Sequence, residues 1–231
     1  MRFRSGGWIS LLVILGTAAC AQAAIAEPAT GAPEAAAVEQ TQRQDAEEPS
    51  GLEGEAIFVL DPELSQARFI IGEILANQPN TVIGINNQVQ GGGVFNFVEP
   101  ALSTLDEFLI DSSGFETDSR MRDRAIRNFV LRSGQFPVIS FQPIDIIGIP
   151  TEIVVGETVS FEIVGQLTIR EVTKEVTFEG VATMVAMDRV EGLAAATVLR
   201  LDFGLSIPSV PRVAGVDEEF TLEIEFVAVA G

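Results

Sequence analysis

Residues 159–179 read VSFEIVGQLTIREVTKEVTFE, and their period of two decides the fold. Val159, Phe161, Ile163, Leu167 and Ile169 fall on one face of an extended chain. Ser160, Glu162, Gln166, Thr168 and Arg170 fall on the other. Beyond a turn, Val172, Val176 and Phe178 alternate with Thr173, Glu175, Thr177 and Glu179. Successive side chains of a strand point to opposite faces, so the pattern marks strands with one buried face and one wet face. One-sided strands belong to an antiparallel sheet, because parallel strands are buried on both faces.

The same alternation recurs where Phe220, Leu222, Ile224 and Phe226 interleave with Thr221, Glu223 and Glu225. Further strands are expected near 56–60, 66–75, 81–89, 92–98, 105–111, 137–147 and 194–205. Gln78-Pro79-Asn80, Gly91-Gly92-Gly93 and Ile149-Pro150 read as turns between them. Residues 118–131 break the rule: Met121, Ala125, Ile126, Phe129 and Val130 have helical spacing. The expectation is a mainly all-β fold, an antiparallel barrel of about eight strands with one short helix. Closing the sheet into a barrel removes its edges.

Composition narrows the function. The 231 residues are 47% hydrophobic, enough for a sizeable core. The net charge of −19 argues against nucleic acid or anionic headgroups as direct partners, since both need a basic face. The chain has no His and one cysteine, Cys20. Without His there is no Ser–His or Cys–His nucleophile system. With one Cys there is neither an intramolecular disulfide nor a thiolate zinc site. No cofactor and no metal are expected, a carboxylate-only oxygen site for calcium being the formal alternative. An enzyme would have to rely on carboxylates such as Asp123 and Asp202, and no spacing selects a pair. Gly91-Gly92-Gly93 lacks the lysine and hydroxyl residue of a phosphate loop.

The first residues read as an address. Arg2 and Arg4, the apolar run Trp8–Leu15 and the small residues after it resemble a secretory signal over 1–26. Two processing routes are open. Leu15-Gly16-Thr17-Ala18-Ala19-Cys20 resembles a lipobox, which would lipidate Cys20. Ordinary cleavage after Ala21-Gln22-Ala23 or Ala24-Ile25-Ala26 would discard it. Residues 27–54, rich in Ala, Glu, Gln and Pro, are expected to be a disordered linker. The folded domain is expected over 55–231, exported to the periplasm or cell surface, with a membrane tether through Cys20 on the first route.

Several blocks, in order, resemble the YceI-like family. They are Phe58-Val59-Leu60-Asp61-Pro62 with Ser65 and Phe69; Thr81-Val82 with Gly84 and Gly91; and Phe115-Glu116-Thr117 with Arg122-Asp123. They continue with residues 135–141 (QFPVISF), residues 165–176 (GQLTIREVTKEV), Asp202-Phe203-Gly204-Leu205 and Val216-Asp217-Glu218-Glu219. The chain departs from the family pattern at Leu64, where a histidine usually stands, at Ala125-Ile126, where the family usually has His-Leu, and at Glu171, which replaces a turn glycine. The resemblance implies a lipocalin-like barrel that holds a polyisoprenoid or similar long apolar lipid.

From pattern alone the inward phenylalanines are either core or tunnel wall. Phe69, Phe95, Phe97, Phe108 and Phe129 are candidates for a ligand-lining role, together with Phe136, Phe141, Phe161, Ile163 and Phe178. The resemblance tips them toward a cavity. Arg122 is the candidate headgroup contact at its mouth, with a structural Arg–Asp pair or helix cap as the alternative. The reading is a non-enzymatic carrier; the alternative is a protein-interaction module with a filled barrel. Its oligomeric state is open.

Overall fold

The computed structural model describes residues 54–209 and 212–231. The signal, the linker and Cys20 lie outside the described residues. In order, the strands are β1 (Glu55–Leu60), β2 (Gln66–Leu75), β3 (Gln78–Asn86), β4 (Val89–Gln90), β5 (Gly92–Asn96), β6 (Thr104–Leu105) and β7 (Phe108–Asp111). The short helix α1 (Arg120–Ala125) comes next, and then β8 (Val138–Ile147), β9 (Thr158–Ile169), β10 (Val172–Ala186), β11 (Arg189–Leu199) and β12 (Val213–Ala230).

Every pairing is antiparallel, as the one-sided alternation requires. The sheet runs β4-β7-β8-β9-β10-β11-β12-β1-β5-β6, with β2 and β3 added alongside β12. It curls into a half-barrel with its apolar face inward. The 18-residue β12 spans the curl: Phe220–Glu225 pair with β2, and Ala228–Ala230 pair with β1. The two ends of the sheet meet through the chain itself. β4 pairs β7, β5 pairs β1, and only Gly91 separates β4 from β5. Leu60 N–H donates to Gly91 O at 3.0 Å across that seam.

The family-like opening block makes the corner between β1 and β2. Asp61 O accepts Ser65 N–H at 2.9 Å, and Asp61 N–H donates to Val227 O at 2.8 Å. The buried Ser65 hydroxyl donates to Val227 O and accepts Val227 N–H. One serine thus satisfies the backbone where two strands leave the same stretch of β12, and buried backbone groups need such partners.

One end of the barrel is solid. Phe115, Leu131, Ile169, Val176, Phe203, Leu205 and Phe220 are buried together there, with Ile126 and Val130 packed against them. A π turn, Ile126–Val130, continues α1 and lowers this lid onto the strands. Arg170, in the β9–β10 turn, donates to Val130 O and to Gly204 O at 3.2 Å, and lies over the Phe136 ring. It also grips Glu171 at 2.9 Å, and that hydrogen bond holds the Glu171 carboxyl below its usual range. The family-like turn therefore serves as a clasp. Its left-handed backbone falls on Arg170, at φ 58°.

Three local expectations change. Gln78-Pro79-Asn80 is strand, not turn; the reversal is Ala76-Asn77, both at positive φ, as a two-residue hairpin requires. Pro79 is tolerated because β3 pairs only β2, so no second strand misses its N–H. The strand expected over 194–205 is β11, which ends at Leu199 and passes into a 3₁₀ turn, Arg200–Phe203. The helix expected over 118–131 is α1 plus the π turn. Leu131 N–H bonds back five residues to Ile126 O. The wider turn keeps Ile126 and Val130 on the core and leaves Met121 and Phe129 exposed.

A buried ion pair fastens α1 to the barrel. Glu73, buried on β2, accepts Arg122 Nη2–H at 2.9 Å and Asn80 Nδ2–H at 2.9 Å. Arg122 also pairs with Asp118. Removing one member of a buried pair strands the other charge. Arg122→Leu should therefore cost ~2–4 kcal/mol in urea unfolding, and adding Glu73→Gln should restore part of that loss. A double variant no more stable than Arg122→Leu alone would show that the pair does not hold the helix.

Candidate functional site

The other end of the barrel is hollow. Its walls are the first half of β9 (Val159, Phe161, Ile163), the far half of β10 (Phe178, Ala182), and the end of β12 (Ile224, Phe226, Ala228). Val190 and Ala194 of β11, Phe58 and Leu60 of β1, and the glycine-rich start of β5 complete the curve. Ile149, Pro150 and Ile153, in the loop between β8 and β9, overhang one side. The hollow has a cavity volume of about 210 Å³ and opens to solvent at its mouth.

Sequence explains the space. At the solid end, inward positions are filled by large side chains and by the lid. At the hollow end, several inward positions carry Ala or Gly: Gly93, Ala182, Ala194 and Ala228. Two glycines shape it further by letting rings lie flat against the sheet. Gly180 faces Phe161 across the β9–β10 ladder, and a Cβ there would stand 2.6 Å from the Phe161 Cζ. Gly192 faces Phe226 across the β11–β12 ladder, and a Cβ there would collide with that ring. The two rings approach each other, centroids 6.4 Å apart, across the β10–β11 hairpin. Phe141 and Phe178, in edge contact at 4.9 Å, form the floor between the hollow and the solid end.

The wall is almost wholly apolar; Ser103 and Thr104 supply its hydroxyls. No ionisable side chain among the described residues lines it. Such a surface can do one thing chemically: exclude water and accept another apolar surface. Among the lining residues there is no base to activate those hydroxyls, no acid–base pair and no charged anion cradle. Among the described residues no group of three His, Cys, Asp or Glu side chains stands close enough to hold a metal ion.

Of the candidate lining residues, the structure brings together Phe95, Phe108, Phe141, Phe161, Ile163 and Phe178. The others lie elsewhere. Phe69 packs on Phe115 at 5.5 Å, in the solid end. Phe97 stands behind Phe95, in edge contact at 4.8 Å. Phe136 lies under Arg132 and Arg170. Phe129 is 63% exposed on the outside of the lid. Arg122 is bound to Glu73, away from the hollow, and Asp123 holds the Thr117 N–H and hydroxyl. The Arg122 guanidinium thus pairs with Glu73 and Asp118 rather than with Asp123, whose carboxylate is engaged by Thr117. Sequence reasoning missed Phe226, Ile224 and Val159, although their alternation was visible. It also missed the overhanging Ile149, Pro150 and Ile153, which no periodicity marks.

Solved structures share this fold. A polyisoprenoid binding domain from Saccharophagus degradans, implicated in plant cell wall breakdown, aligns with a TM-score of 0.59 at 12% identity, over 75% of this chain and 98% of that one. BcnA of Burkholderia cenocepacia aligns at 0.58 with 16% identity, over 74% and 99%. A YceI protein of Campylobacter jejuni aligns at 0.51 with 18% identity, over 64% and 84%. No curated protein matches the chain. Residues 58–228 match the YceI-like domain, a span that begins in β1 and ends in β12 and so takes in the solid end, the hollow and the seam at Gly91. The chain belongs to the YceI-like family.

Proposed function

We propose that the protein is a carrier that holds one long apolar chain, of the polyisoprenoid class, in the hollow end of its barrel. The observation behind this reading is the wall: an open hollow lined by aliphatic and aromatic groups with no charge. The similar Saccharophagus degradans domain is itself described as polyisoprenoid binding. Burial supplies the driving force. Transfer from water is worth ~0.8 kcal/mol per methylene, so a chain of about 20 carbons offers ~16 kcal/mol gross. Association costs ~4–15 kcal/mol, which such a chain can offset. Affinity then depends on chain length and dryness of the wall rather than on any one hydrogen bond.

The solid and hollow ends respond oppositely to added bulk. Ala182 lines the hollow, while Ala196 is buried in the packed end. Ala182→Trp should fill empty space, abolish binding of geranylgeraniol, and shift stability by less than ~1 kcal/mol. Ala196→Trp should overpack the core and cost ~1–3 kcal/mol or more. Equal destabilisation by both, with no geranylgeraniol bound by the parent protein, would mean that both ends are filled.

We further propose that the carrier works outside the cytoplasm, on the strength of Arg2, Arg4 and the apolar run Trp8–Leu15. Deleting residues 1–19 should leave the protein in the cytoplasm, and normal export of that truncation would contradict the reading. Palmitate label that disappears in Cys20→Ser would assign the lipoprotein route; an unlabelled parent protein would assign ordinary cleavage.

A further inference from the structure

The mouth of the hollow is ringed by exposed aliphatic side chains that neither the core nor the cavity uses. Strand register places three connections at this end. The 97–103 segment comes after β5, the 148–157 loop joins β8 to β9, and the Met187-Asp188 turn joins β10 to β11. Gly156 N–H donates to Met184 O at 2.9 Å, and Ala230 N–H to Asp188 O at 2.9 Å, so these segments are neighbours. On them stand Val98 (72% exposed), Leu102 (59%) and Val154 and Val155 (46% each), with Ile147 (47%) and Val185 (40%) on the adjoining ends of β8 and β10. Scattered surface aliphatics need no explanation, but a set collected around one opening does.

Charge narrows what such a rim can meet. Among the described residues the rim carries exposed Glu99, Glu152, Glu157 and Asp188 and no lysine. Its cation is Arg189, which Glu191 holds at 2.7 Å. An anionic surface would be repelled, and a neutral one would not. The chain also enters the barrel here, for Gly54 O accepts Phe97 N–H at 2.8 Å.

We propose that this rim docks on a neutral, zwitterionic lipid surface, so that an apolar chain passes between bilayer and hollow without crossing water. The inference rests on the carrier reading and adds the partner from which the ligand is taken. Val98, Leu102, Val154 and Val155 enter the headgroup region, with the cavity mouth between them. The acidic groups stay in the aqueous layer.

The test separates docking from binding. Using the full chain, geranylgeraniol affinity is measured in vesicle-free solution, and its initial uptake rate is measured from phosphatidylcholine vesicles. The comparison is the triple variant Leu102→Asp/Val154→Asp/Val155→Asp, none of which lines the hollow. The expected result is an unchanged Kd with uptake slowed on the order of tenfold, because charges on the rim resist entry into the interface. Replacing part of the phosphatidylcholine with phosphatidylglycerol should slow the parent protein as well. Should the triple variant lose melting temperature, Val98→Ser/Leu102→Ser must still slow uptake at unchanged Kd. Equal uptake rates at intact Kd would overturn the docking proposal. So would faster uptake from anionic vesicles, or a dimer that the variant dissociates without changing uptake. Absence of geranylgeraniol binding by the parent protein in solution would instead overturn the carrier reading, and docking with it.

Discussion

A sheet with one apolar face and one wet face must bury the apolar face against something, and this chain gives it almost nothing but itself. The helical material among the described residues is one six-residue helix and a few short turns. The sheet therefore curls, and β12 makes the curl continuous by serving β11 along one edge and both β1 and β2 along the other. The seam at Gly91 arises from the same demand, because an open edge beside an apolar interior would leave both backbone and side chains exposed. The outer face supplies only ordinary surface chemistry, such as Arg68 paired with Glu223 directly across from it.

A curled sheet has an interior volume, and side-chain size decides how much of it is solid. The lid formed by α1 and the π turn stands at one end, with Phe203 from the 3₁₀ turn and Leu205 just beyond it. There the inward residues interdigitate as in any core. Among the described residues no such lid covers the other end, and Ala182, Ala194, Ala228 and Gly93 give back the volume that larger residues would take. The barrel is thus filled at one end of its axis and open at the other. The floor is where Phe141 meets Phe178.

The inward face is legible from alternation alone. The strand read at 66–75 has those bounds in the structure, and every inward residue named in 159–169 faces the interior. Position along the barrel axis is not legible. Phe69 and Phe161 carry the same alternation signal, yet one is packed on Phe115 and the other lines the hollow. Telling them apart requires the register of β2 on β12 and the location of the lid, both long-range facts. Phe129 escapes the inward set because the helix widens to a π turn just before it, which spacing at 3.6 does not anticipate. Arg122 resembles a headgroup contact in the sequence because Glu73, its partner, lies 49 residues earlier in the chain. The hollow itself leaves only a negative trace: alanines and glycines at inward positions, which read as indifferent filler until the strands are wrapped.

On the proposed carrier reading, specificity lies in shape and in access, since the wall has no charge with which to recognise a headgroup. The most direct measurement is of what the hollow contains when the protein comes from its own host. The protein should be purified without detergent and the lipid in its organic extract quantified by mass spectrometry against the protein. The account predicts a prenyl or other long-chain lipid at close to one per chain, retained until the protein is unfolded. A protein that is folded, monodisperse and free of lipid, and that takes up none when offered, would contradict it.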